Sequence, residues 1–104
     1  KGKTFKVHKD ETVLIGRKDN FKESDLASFA ILLDNSYKSV SSVGKPHLTV
    51  FYKDDAWCIL DESSLNGTFI GDRKVPTGVE IKLKNNSFLK LSKGNGGAVI
   101  YCSF

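Results

Sequence analysis

The 104-residue sequence has no methionine, one tryptophan, two prolines and two cysteines. Two cysteines make no disulfide framework, and Cys58 and Cys102 show none of the paired spacing of a metal-ligand site. Both lie in apolar, strand-like runs, which suits small buried thiols in a reducing compartment; a single disulfide between them is the alternative. No stretch approaches the roughly 20 apolar residues that span a bilayer. No charged-then-apolar leader ending in small residues is present, so no signal peptide is expected. The sequence starts at Lys1 and lacks Met throughout, so it is expected to be a piece of a longer protein. No nucleophile, base and orienter set stands out, nor any cluster of metal ligands. The glycine-rich stretch Gly94-Asn95-Gly96-Gly97 is followed by no helical pattern, which makes it a turn and not a phosphate cradle. These absences argue against an enzyme, a cofactor and a bound metal.

Hydrophobic residues make up 39% and charged residues 27% of the chain, a globular mix. The length fits one domain, residues 1–104, with a modest core. The net charge of +4 is a mild excess. It would suit an anionic group on a partner, but composition alone favours the plainer reading of a lysine-rich solvated surface. Nucleic acid is not the expected partner, because the sequence shows no aromatic-basic interleaving and no finger motif.

Apolar runs of short length and period two recur between clusters of Gly, Asn, Asp and Ser. They predict strands over residues 4–7, 12–16, 29–33, 47–52, 56–60, 68–70, 79–83, 88–91 and 99–104. Lys84-Asn85-Asn86-Ser87 and residues 94–97 are expected to close hairpins. No window carries a helical period, and residues 21–29 offer at most one helical turn. The expected fold is all-β, an antiparallel sandwich in which strands at the two ends of the chain pair with each other. The long polar connections, residues 34–46 and 61–66, are where binding residues are expected on such a scaffold.

Three short elements stand in order along these connections. Gly16-Arg17 follows the apolar run Val13-Leu14-Ile15, His47 opens a strand after a polar loop, and Asp61-Glu62-Ser63-Ser64-Leu65 runs into Asn66-Gly67-Thr68. Together they resemble the forkhead-associated (FHA) domain over nearly the whole chain. The resemblance implies a β-sandwich of about eleven short strands with little or no helix. Loops at one end would bind a phosphothreonine-containing peptide or protein, without catalysis. It implies Arg17 as the phosphate contact and Asn66 as the contact to the peptide main chain, with His47, Gly16 and Gly67 as structural residues. Thr68 would start the next strand. It further implies an intracellular, often nuclear, setting in kinase signalling, such as the cell cycle or the DNA-damage response. The chemistry agrees: arginine carries a fixed charge on a planar fork that fits a phosphate, and a side-chain amide both donates and accepts as a peptide backbone does.

The sequence departs from the family pattern in one telling place. The family's phosphate-contacting serine, three positions before the histidine, is here Gly44. Lys45 beside it keeps a cation, and Ser41 or Ser42 could approach the pocket if the loop shifts. A hydrogen bond to a charged group contributes about 1.5–3 kcal/mol, so the missing hydroxyl is expected to weaken binding by roughly tenfold to a hundredfold. A second departure is Gly71, where the family often has another asparagine. These substitutions keep an alternative open: a degenerate FHA-like domain that docks a protein without phosphate.

Overall fold

The computed structural model describes residues 4–22, 29–42 and 46–104. Among the described residues nine strands follow in order: β1 Val13–Arg17, β2 Phe29–Leu33, β3 Leu48–Lys53, β4 Ala56–Leu60, β5 Thr68–Ile70, β6 Arg73–Lys74, β7 Ile81–Lys82, β8 Ser87–Leu91 and β9 Ala98–Cys102. Helix is limited among the described residues to one 3-10 turn, Lys18–Asn20. The strands form two sheets, one ordered β2-β1-β3-β4-β7 and the other β6-β5-β8-β9.

The period of two sets which face is buried. In β8, Ser87, Leu89 and Leu91 point inward while Phe88 and Lys90 do not. Val13, Ile15, Leu48 and Ile59 of the first sheet meet Leu89 and Leu91 of the second, all nearly or fully buried. The β3–β4 hairpin closes through Asp54 and Asp55, both at positive φ (53° and 62°), as a tight primed turn requires. The β8–β9 hairpin closes through residues 94–97 as expected from its glycines.

Four expectations need correction. Residues 4–7 form no strand: Thr4, Phe5 and Lys6 are exposed, and Phe5 only leans edge-on against Phe29 at 6.5 Å. Two apolar side chains in four residues bury too little surface to offset the entropy of ordering them. Among the described residues the two ends of the chain therefore do not pair, and β9 is the outer strand of its sheet. The sandwich is not wholly antiparallel, because β1 and β2 pair in parallel, Val13 opposite Phe29 through Arg17 opposite Leu33. Finally, residues 84–87 do not close a hairpin. They carry the chain from β7, which pairs with β4, across to β8 in the other sheet. The crossing is fixed by Asn86 at φ 64° and by the Asn85 side chain, whose Oδ1 takes the Phe104 backbone N–H at 2.6 Å. The candidate helical turn at residues 21–29 lies mostly outside the described residues.

Leu89 is fully buried between the sheets. Leu89→Ala is expected to cost about 2–5 kcal/mol by lost transfer energy and a residual cavity, read as a lower urea midpoint with an unchanged denaturant slope. Phe88→Ala next to it, on a side chain 52% exposed, is expected to cost well under half as much.

Candidate functional site

The end of β1 and the start of β3 touch through bare backbone. A Cβ on Gly16 would lie 2.8 Å from the His47 backbone nitrogen and 3.2 Å from Pro46 Cα. Only glycine permits this approach, and it aims the next residue, Arg17, at the neighbouring loops. His47 is completely buried, and its Nε2 lies 3.0 Å from the Gly67 carbonyl oxygen. A carbonyl only accepts, so Nε2 carries the ring proton; Nδ1 has no partner among the described residues. The histidine thus ties the β3 start to the loop between β4 and β5.

That β4–β5 loop is organised by Asp61, 1% exposed. Its Oδ1 accepts the Ser64 N–H at 2.9 Å, and its Oδ2 accepts from the Ser64 hydroxyl and from Thr68 Oγ1, the latter at 2.8 Å. Ser64 Oγ in turn accepts the Gly67 N–H at 3.2 Å. Gly67 has φ 88°, a value that strains any residue with a side chain. The result presents Asn66 outward from a loop whose buried polar groups are nearly all paired.

Residues 34–42 form the facing wall. Val40 is fully buried and pins this polar stretch to the core. Four successive carbonyls then receive donors from other elements. Lys38 O accepts from Arg17 Nη1 at 3.0 Å, Ser39 O from Asn66 Nδ2 at 2.8 Å, Val40 O from Asn20 Nδ2 at 3.4 Å and Ser41 O from the Leu65 N–H at 2.8 Å. Ser39 is also held from behind, its N–H on Gly96 O at 3.0 Å and its hydroxyl on Asn95 O at 2.8 Å. Arg17 Nε donates to Asp19 Oδ1 at 2.7 Å.

The fold therefore brings Arg17, Asn66, Ser41 and Ser42 to one end of the sandwich, around one segment. Ser42 is 8% exposed and bridges Ser64 in the manner of a short antiparallel ladder, and Ser41 is half-buried. Gly44 and Lys45 lie outside the described residues. Gly16, His47, Gly67 and Thr68 sit beneath, all buried, as the frame. Three contributors were missed in the sequence. Asp61 and Ser64 stood inside the recognised motif without assigned roles. Val40, a lone apolar residue in a serine-rich stretch, was the available sign of a packed loop. Counting bonds among the described residues, Arg17 keeps three of its five N–H groups and Asn66 keeps one N–H and its oxygen, so together they can hold an anion and a peptide backbone. Among the described residues no group of His, Cys, Asp and Glu could hold a metal ion, and no helix is long and apolar enough to cross a membrane.

Burial pushes the His47 pKa down from its ordinary 6.5, opposed more weakly by the nearby Asp61 carboxylate and the Gly67 bond. The unfolded chain then binds the proton more readily than the folded one. The neutral ring's contribution is intact above about 6.5 and is lost as pH falls from there toward the lower folded value. Thermal midpoints measured from pH 7.5 downward are expected to drop through this window, and to drop less in His47→Gln, which is less stable at pH 7.5.

A comparison with protein families matches the FHA domain over residues 13–92. Among solved structures, the chain is similar to the crystal structure of the MEK1 FHA domain, with a TM-score of 0.57 and 17% sequence identity over 92% of this chain and 73% of that one. At that identity the likeness speaks for the fold. No curated protein matches the chain. With the family matched from β1 through the end of β8 and the same fold in a solved relative, this chain belongs to the FHA domain family.

Proposed function

We propose that this domain binds a phosphothreonine-containing segment of a partner protein, as FHA domains generally do, with Arg17 on the phosphate and Asn66 on the peptide main chain. The observation that carries this reading is the shared anchoring of the two side chains. They are held by the adjacent carbonyls of Lys38 and Ser39, and each keeps hydrogen-bonding groups unused by the fold. A phosphate on the remaining Arg17 donors would leave the following residues of an extended peptide within reach of the Asn66 amide. Lys45 adds a second cation to the loop before β3, in place of the hydroxyl absent at Gly44. The domain acts as a binding module and not as an enzyme, downstream of a serine/threonine kinase and in the nucleus.

A second reading is docking of a protein partner without phosphate. It is favoured by the glycine at position 44 and by the internal engagement of Arg17 with Asp19. The two separate in one titration, with a phosphothreonine peptide library set beside its unphosphorylated copy. The proposal expects selective, micromolar binding of the phosphorylated library. Arg17→Ala is expected to lose at least about tenfold in affinity, the scale of one charge-assisted contact, and Arg17→Lys, which keeps the charge but not the fork, to fall between. Equal binding of both libraries would establish the phosphate-independent reading instead.

A further inference from the structure

The phosphate of the proposed ligand would meet an arginine that already holds an anion. Asp19 lies in the 3-10 turn Lys18–Asn20 that continues from β1, and its carboxylate takes the Arg17 Nε–H at 2.7 Å. The Asp19 side chain is 50% exposed, that of Arg17 18%. An ion pair this open to water adds little to fold stability. Nor does the aim of Arg17 hang on it alone, since the Lys38 carbonyl holds Nη1 and β1 is paired on both sides. Its electrostatic effect on a ligand is larger. The pair is neutral as a whole, and a dianionic phosphate on Arg17 would sit well inside the roughly 10 Å screening length of 0.1 M salt from the Asp19 charge. The Asp19 contact also occupies Nε–H, one of the donors from which arginine builds a two-pronged grip on phosphate.

We infer that Asp19 is a built-in counter-anion of the phosphate site, which lowers the affinity of Arg17 for phosphate. Binding then requires the peptide main chain on Asn66 as well as the phosphate. The inference rests on the phosphopeptide reading above and names what tunes it. Asp19 touches no ligand; it acts through Arg17.

Asp19→Asn separates charge from aim, because the amide oxygen can still accept the Nε–H. Asp19→Ser, also uncharged, is measured beside it so that the result does not depend on the folding of one variant. A phosphothreonine peptide selected from the library is titrated into each protein at low and high salt. Both variants are expected to bind about three- to tenfold more tightly than the parent near 50 mM salt. The gain is expected to shrink toward none near 0.5 M, because it is a screened charge effect. Affinity equal to or below the parent's at low salt, or a gain indifferent to salt, overturns the inference while leaving the phosphopeptide reading intact. No phosphate-dependent binding by the parent or either variant defeats that reading, and the inference with it. Binding by the variants alone supports the inference in its strongest form.

Discussion

Four consecutive carbonyl oxygens, those of residues 38 to 41, organise the end of the sandwich that carries Arg17 and Asn66. Each accepts a hydrogen bond from a different donor: the tip of Arg17, the amides of Asn66 and Asn20, and the Leu65 backbone. Singly, such bonds contribute about 1 kcal/mol. Sharing one short segment makes them interdependent, since a shift of that segment disturbs all four at once. The segment can present its carbonyls in a row because Val40 is sunk into the core and Ser39 is bonded from behind to the turn between β8 and β9. The end of β1, the β4–β5 loop and the β8–β9 turn thereby acquire a common reference, which is what lets loops act as a site on a strand scaffold.

Beneath this row lies a mostly buried polar layer. His47 links the start of β3 to Gly67, and Asp61 gathers Ser64 and Thr68. Polar groups placed this deep are costly unless paired, so the layer specifies one arrangement of the β4–β5 loop and holds it. The bare contact at Gly16 completes the frame from the other side. The chemistry exposed above is brief, an arginine and an asparagine, because positioning is delegated to residues below.

Much of this was legible in the sequence, and the reasons differ by element. Strands such as β8 and β9 announce themselves by strict alternation and a glycine-rich turn, and both signals are local. The motif of Asn66, Gly67 and Thr68 was readable because tight turns demand particular residue types. The parallel pairing of β1 with β2 was not, because the eleven residues between them carry no pattern that sets direction. The turn after β7 looked like a hairpin because asparagine serves equally in a turn that changes sheets. Residues 4–7 alternate, but alternation only pays off when a partner edge and a buried face are both at hand. Of the site, the frame was visible as a set of residue types, while the contacts of Arg17 were not: Lys38 lies 21 positions away, and the nearby Asp19 read as one more surface charge.

The pairing of Asn66 with Gly67 has a chemical cost that the fold suppresses. An asparagine followed by glycine is prone to deamidation: the glycine backbone nitrogen attacks the side-chain carbonyl carbon, ammonia leaves, and water opens the resulting succinimide to aspartate or isoaspartate. Here the Gly67 nitrogen is engaged with Ser64 and the Asn66 amide with Ser39, so the two reacting groups are held in separate bonds. Chains that spend time unfolded lose that protection and accumulate a carboxylate at position 66. The working lifetime of the site is thereby coupled to the stability of the loop that presents it.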